Sequence, residues 1–349
     1  MMKKWTMLLL SVLIVCVGAS SISAAAPSSY SESLLDPSTQ SLAISSSKTL
    51  FVDKKNRQIQ MLDLNTGKIG WKQTFPSIYD VEVLTYPTKI VVITEEKRHP
   101  RKVTLSEEGK PLSQQTYNNM KLTGTEKIQW SAPLQQEKEK LAIFTNKALS
   151  VYQYPWSKPS VTLSLEMADD NKYENVILQD AQLRAPYAIA KFSGSSLGQS
   201  KPYYKIVNVA AQQISALPLA WNVESGFILE GTSLALHTSS ISGSPLGIET
   251  NMDQMIYARY DLLTGKLAPT ITRTFTMSDS NWSTTSFNGY LLLTDTEHEQ
   301  RAIFNKSGEL LTEREATQAD LNSRLVGYSN GHAYTLVRTA NKTIELQVD

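Results

Sequence analysis

The feature that most constrains this chain is a recurrence. Short apolar runs return along it, at Thr49-Leu50-Phe51-Val52-Asp53, Lys89-Ile90-Val91-Val92-Ile93-Thr94, Lys140-Leu141-Ala142-Ile143-Phe144, Tyr187-Ala188-Ile189-Ala190, Ser233-Leu234-Ala235-Leu236, Tyr290-Leu291-Leu292-Leu293 and Ala333-Tyr334-Thr335-Leu336-Val337. Each is four to six residues long and rich in β-branched or aromatic residues, which predicts a strand. They recur at intervals of roughly 40 to 55 residues, the period of WD40-like propeller blades. A length of 349 residues suggests two domains, but single all-β domains run longer than that rule. The chain therefore reads as all-β: a single β-propeller over residues 26–349, of seven four-stranded blades. Six or eight blades stay open, because the boundaries between Ala168 and Asn281 are loose, and a pair of β-sandwiches is the competing architecture.

Turn chemistry recurs with the runs. Asp63-Leu64-Asn65-Thr66-Gly67-Lys68-Ile69 follows the first, Asp261-Leu262-Leu263-Thr264-Gly265-Lys266-Leu267 the fifth and Asn305-Lys306-Ser307-Gly308-Glu309-Leu310 the sixth. Ser106-Glu107-Glu108-Gly109-Lys110 is a weaker copy after the second. An Asp, Asn or Ser opens each turn and can bond back onto its main chain, and Gly takes the positive φ that the turn requires. With strands A to D in each blade, the apolar run is strand B and these turns join C to D.

Met61-Leu62-Asp63-Leu64-Asn65-Thr66-Gly67-Lys68-Ile69-Gly70-Trp71-Lys72 resembles the repeat of quinoprotein-like (PQQ-type) β-propellers. Only this copy is close, since Pro269, Thr312 and Ser113 stand where the other copies would carry Trp. The resemblance implies a fold. The quinone enzymes of that family need calcium ligands, a catalytic Asp and usually neighbouring cysteines, and none of these aligns with a position here. No cofactor and no metal is therefore expected.

The last repeat offers only three strands, Arg324 to Tyr328, His332 to Arg338 and Thr343 to Val348. A fourth, from around Tyr30 to Leu35 in the Ser-rich lead Ser28 to Ser47, would close the ring and remove exposed edges.

The N-terminus reads as a secretory signal peptide over residues 1–25. Lys3 and Lys4 precede an apolar stretch from Met7 to Gly18, too short for a comfortable span, and small residues follow. Cleavage is expected after Ala25; a retained membrane anchor is the other reading. Val15 before Cys16 disfavours a lipoprotein signal, and the chain from Ala26 has no cysteine for a disulfide or thiolate site. The expected location is secreted or extracytoplasmic, in a bacterial cell envelope. No stretch after Ala26 is long and apolar enough to span a bilayer. A net charge of +1 argues against nucleic acid and gives no bulk electrostatic reason for attachment to a membrane surface.

In a propeller the D–A and B–C connections share one face, the A–B and C–D turns the other. The longer insertions map to B–C loops at Glu95 to Arg101, Ser193 to Lys201 and Thr238 to Met252, and long loops often carry function. The charged stretch Leu134 to Glu139 maps to an A–B loop. Tyr79, Trp130, Tyr173, Trp221 and Trp282 stand near strand-A starts and could ring the channel mouth to grip a peptide or stack on a sugar, or simply staple loops to the blade cores. With His99 and His237 they make the candidate binding face.

Catalytic signals are weak. The four histidines, His99, His237, His298 and His332, have no His or Cys at metal-ligand spacing; Asp295, Glu297 and Glu299 beside His298 fit a hydrophilic turn better than a metal site. Gly194-Ser195-Ser196-Leu197-Gly198 superficially fits a nucleophile elbow but lacks the strand-to-helix context. The acidic pairs Asp169-Asp170 and Glu107-Glu108 fit solvated turns. The reading is a non-enzymatic scaffold that binds a protein, or a cell-wall glycan, through its B–C/D–A face; envelope assembly factors among cofactor-free quinoprotein-like propellers make that role one the resemblance allows. The competing reading is a polysaccharide hydrolase or lyase with paired carboxylates at the channel mouth, for which Asp80, Glu174 and Glu224 are the candidates.

Overall fold

The computed structural model describes residues 30–132, 138–167, 174–196, 199–217, 225–230, 232–238, 252–267, 271–275, 282–296 and 298–349. The signal peptide reading, with Cys16, lies outside them, as do Tyr173, Trp221, Glu224, Glu297, Gly198, Pro269, the Asp169-Asp170 pair, residues 134–137 of the A–B stretch and residues 239–251 of the longest B–C loop.

The described residues form seven antiparallel sheets, meanders in which successive strands pair except at the last strand of the fifth. The first is β1 (Gln40–Ser45), β2 (Lys48–Asp53), β3 (Gln58–Asp63) and β4 (Lys68–Thr74). The second is β5 (Asp80–Thr85), β6 (Thr88–Glu96), β7 (His99–Ser106) and β8 (Pro111–Thr116). The third is β9 (Lys127–Ser131), β10 (Lys140–Phe144), β11 (Ala148–Gln153) and β12 (Pro159–Ser164), and the fourth β13 (Glu174–Arg184), β14 (Tyr187–Ser196), β15 (Gln199–Asn208) and β16 (Gln213–Ala216). In the fifth, β17 (Ser225–Glu230), β18 (Ser233–Thr238) and β19 (Met252–Asp261) are followed by β20 (Lys266–Leu267) and β21 (Ile271–Phe275), both paired to β19. The sixth is β22 (Trp282–Phe287), β23 (Tyr290–Asp295), β24 (Gln300–Phe304) and β25 (Leu310–Arg314), and the seventh β26 (Arg324–Ser329), β27 (His332–Arg338) and β28 (Ile344–Val348).

Every apolar run is the second strand of its sheet, and the reason is burial on both faces. Leu50, Phe51 and Val52 are all fully buried in β2, and Ile90, Val92 and Ile93 in β6. Neighbouring sheets cover both sides, so alternation gives way to a continuous apolar run. Each such side chain contributes about 1.5–3 kcal/mol of burial. The cores lie between successive sheets. Leu50 and Ile59 meet Ile90 and Val92; Ile93 meets Ile128 and Leu141; Phe144 meets Leu178 and Phe192; Ile189 meets Phe227 and Leu234; Ala235 meets Trp282 and Leu293; Leu292 meets Leu325 and Ala333. A seventh cluster joins Val326, Leu336 and Ile344 of the last sheet to Phe51 and Leu62 of the first.

The segment expected as a closing strand is not one. Glu32–Leu34 is a turn of 3-10 helix, with the Ser31 side chain accepting from the Ser33 N–H, and the Ser-rich lead then enters β1. The helix nevertheless sits against the last sheet. The Arg324 guanidinium on β26 donates to the carbonyls of Leu34, Asp36 and Thr39 and, at 3.0 Å, to Ser41 Oγ. Burial pulls its pKa down to about 10. Thr49 Oγ1 donates to the Val326 carbonyl at 2.5 Å.

The C–D turns form as their chemistry predicts. Gly67, Gly109, Gly265 and Gly308 have φ between 64° and 82°. Asp63 Oδ1 accepts from Thr66 N at 2.9 Å, Asp261 Oδ1 from Thr264 N at 2.9 Å and Asn305 Oδ1 from Ser307 N at 2.9 Å. Trp71 has a partner in the next sheet: its Nε1 donates to the Glu107 carbonyl at 2.9 Å, and its ring lies where a Cβ on Gly109 would be, 2.6 Å away.

Two of the expected B–C insertions are strand. The β6–β7 ladder runs out to Glu96↔His99, leaving a turn of only Lys97 and Arg98, and the β14–β15 ladder runs out to Ser196↔Gln199. Polar stretches can pair through their main chain without any apolar signal. Gly194 and Ser195 lie inside that second ladder, so the nucleophile-elbow geometry is absent there.

Candidate functional site

First strands expose one edge, and polar side chains of the neighbouring sheet occupy it. Asp80 Oδ2 accepts from Trp130 N at 2.8 Å, and Glu82 accepts from Ala132 N. Gln182 of β13 donates to the Phe227 carbonyl at 2.9 Å and accepts from Leu229 N at 2.8 Å. Thr285 of β22 accepts from Leu325 N at 3.0 Å. The paired steps, 80 to 130 and 82 to 132, show that β5 and β9 run in the same direction. Unpaired main-chain donors are costly, so these side chains both satisfy and align the inner strands.

The carboxylates of this seam are electrostatically unusual. Burial raises the pKa of Asp80 despite the charges of Lys54 and Arg184. Burial raises Glu82 to about 7, Asp80 adding to the shift and Arg184, whose Nε is 4.0 Å away, opposing it. Sequence reasoning singled out Asp80 and missed Glu82. The available signal was the Asp-x-Glu spacing, which puts both side chains on one face of a strand. Asp80 also accepts from Val81 N at 3.0 Å, so both of its oxygens serve main-chain donors. Glu174, the other described candidate acid, is exposed at the start of β13.

Two of the other predicted residues, Tyr79 and His99, stand at the B–C/D–A end of the second sheet. Tyr79, half-buried, donates from Oη to Glu95 Oε2 at 2.7 Å, and burial together with that carboxylate pushes its pKa up. His99 Nδ1 lies 2.6 Å from the Met120 carbonyl, and Leu122 N donates to the Arg98 carbonyl at 2.8 Å. These bonds clamp the β6–β7 hairpin onto the connection leading to β9. At its tip, Lys97 and Arg98 are exposed and both have positive φ, 52° and 68°. This pair of dihedrals is the two-residue hairpin turn that favours Asn-Gly. The two-residue turns at Asn288-Gly289 and Asn330-Gly331 carry that dipeptide, so the Lys-Arg pair is the departure.

Of the remaining predicted residues, Trp130, 3 % exposed, belongs to the inter-sheet core against which Tyr79 packs, and Trp282, 3 % exposed, belongs to another; both are staples of those cores. Trp130 lies near the end of β9 instead of its start. His237 is in β18, its main chain paired with Gly226 and Tyr257. His298 Nδ1 lies 2.8 Å from Asp295 Oδ2, and no group of three metal-ligating side chains occurs among the described residues.

No protein family model matches the chain, and no curated protein matches it by sequence. Solved structures do resemble it. The Cps50 (Swd1) β-propeller domain of Myceliophteria thermophila is 11 % identical, with a TM-score of 0.50 over 88 % of this chain and 95 % of that one. Hydrazine synthase of Kuenenia stuttgartiensis is 8 % identical, with a TM-score of 0.48 over 88 % and 94 %. Hsv2 of Kluyveromyces lactis is 9 % identical, with a TM-score of 0.47 over 89 % and 96 %. The first likeness shows a β-propeller fold, and at such identity a likeness speaks to fold alone.

Proposed function

We propose that this β-propeller is an exported, non-enzymatic scaffold of the cell envelope. Its B–C and D–A connections receive a protein partner, or a cell-wall glycan in its place. In this reading the seven sheets are seven blades of a divergent quinoprotein-like propeller without cofactor residues. The ring closes where Arg324 and the Val326 core meet the first sheet. Residues 1–25 direct export.

The observation that carries the binding role is the Lys97-Arg98 turn. Non-glycine residues in the left-handed region cost roughly 1 kcal/mol each, and the two other described turns with two successive positive φ values carry Asn-Gly. Two exposed cations on a clamped hairpin, at an energetic cost, fit a contact surface better than a connector. The competing reading, a polysaccharide hydrolase or lyase, draws on Glu82, which titrates near neutrality two residues from Asp80. Asp80 is committed to Val81 and Trp130, which leaves that pair a structural seam.

The experiment is cross-linked capture from envelope extract, with Lys97→Asn/Arg98→Gly beside the native chain and a second variant carrying a Gly-Ser turn in place of residues 239–251. Loss of one specific partner in a folded variant supports the scaffold. Equal capture by native and variant proteins contradicts it.

A further inference from the structure

The bulk charge gives no reason to expect membrane attachment, but the exposed apolar surface is unevenly placed. Seven large apolar side chains stand exposed among the described residues: Tyr86, Leu112, Tyr154, Ile177, Leu263, Leu310 and Val348. Six of them lie at the A–B/C–D ends of their sheets. Tyr86 is in the β5–β6 turn, Tyr154 in the β11–β12 turn and Leu263 in the β19–β20 turn. Leu112 and Leu310 begin outer strands just after such turns, and Val348 pairs with Tyr334 near the start of β27. Only Ile177 lies elsewhere. Scattered exposed apolar residues need no explanation, but confinement to one end does.

The same turns present cations. Lys68, Lys110, Lys158, Lys266 and Lys306 are all exposed, one in or beside the C–D turn of five sheets, and none is in a salt bridge among the described residues. The acids of these turns are turned to internal partners. Asp63 and Asp261 accept from main-chain N–H groups, Glu107 pairs with Lys48 at 2.5 Å, Glu108 accepts from Ser106 Oγ and Glu309 from Asn305 Nδ2. These acids keep their charge but are held by those partners, whereas the five lysine side chains extend from the turns with no ion pair among the described residues. The Tyr30 hydroxyl donates to the Gly67 carbonyl in the first C–D turn, so the first described residue is tied to this end.

We propose that the A–B/C–D end of this propeller docks on an anionic lipid surface. Exposed Tyr and Leu enter the interface between headgroups and acyl chains, and lysines at the turns meet lipid phosphates. Docking at this end leaves the B–C/D–A end, where the scaffold reading puts its partner, facing away from the bilayer. The two readings concern opposite ends and can fail separately.

Every described element lies beyond Ala26, so the test uses the chain begun there, free of the apolar leader, with folding checked by its thermal midpoint. It is floated with vesicles of phosphatidylcholine alone and with phosphatidylglycerol added. The expected result is flotation only with phosphatidylglycerol, weakened by salt and lowered roughly fivefold for each of the five lysines changed to Gln. Tyr86→Ser with Leu263→Ser also lowers it, whereas Lys55→Gln with Lys342→Gln, exposed lysines of B–C turns, and Ile177→Ser leave it unchanged. Absence of flotation with phosphatidylglycerol, or equal loss in the B–C turn variants, overturns the proposal.

Discussion

Glu82 sets the pH response of the fold at the level of one residue. Its folded pKa, about 7, stands above the 4.5 of an unperturbed Glu. The folded chain therefore holds a proton that the unfolded chain releases. That contribution to stability is complete below about pH 4.5 and is lost as pH rises through 7, on the order of 3 kcal/mol. Asp80, also raised by burial, acts with the same sign. Urea midpoints at pH 5 and pH 8 should show a more stable protein at pH 5, and Glu82→Gln should flatten the difference. An equal slope in the variant would remove Glu82 from the account. Arg324 is the second decisive residue. Arg324→Leu strips donors from the Leu34, Asp36 and Thr39 carbonyls, and should cost about 2–4 kcal/mol in chemical denaturation. A loss below about 0.5 kcal/mol, typical of a surface site, would contradict its role.

Turns and strands divide by what their sequences must satisfy. Gly109 and Gly331 both have positive φ, 77° and 81°. A Cβ at Gly331 meets open space, whereas one at Gly109 meets the Trp71 ring. Gly331→Ala should cost about 1 kcal/mol, Gly109→Ala at least about 1 kcal/mol more, with the excess relieved in the Trp71→Ala background. At the third turn, Lys97→Asn/Arg98→Gly should raise stability by about 1–2 kcal/mol, measurable as a higher thermal midpoint. A lower midpoint would mean the native pair stabilises the hairpin, and the argument for a contact role would go with it. The same physics explains what could be read from sequence. Second strands such as β2 and β6 are buried on both faces and announce themselves as apolar runs. Outer strands such as β8 (Pro-Leu-Ser-Gln-Gln-Thr) are largely exposed, and only main-chain pairing marks them. The segment around Tyr30 to Leu35 misled because its apolar residues suit an extended edge, while Ser31 caps a helical turn instead. At the candidate site, Tyr79 and His99 were legible by type and place. Their partners, Glu95 and the Met120 carbonyl, and the charge seam at Glu82, depend on contacts across loops and sheets that a linear pattern does not carry.

At the scale of the molecule, the described residues pack through seven interfaces of one kind. Six lie between consecutive sheets, and the seventh brings Phe51 and Leu62 against Val326 and Leu336 across nearly the full length of the chain. Buried charges reinforce the contact between the sixth and seventh sheets: Arg301, 1 % exposed at its side chain, bonds Asp349 at 2.7 Å and Thr335 Oγ1 at 2.9 Å, and Arg314 holds Asp320 at 2.7 Å. A closed circuit should open as one unit, whereas an open row of sheets should fray from its ends. Native-state hydrogen exchange at low denaturant measures this directly. If the ring is closed, the amides of β2 and β27 exchange with the same opening free energy, and Arg324→Leu lowers both together. If β27 opens at lower free energy and leaves β2 protected, the sheets form an open stack.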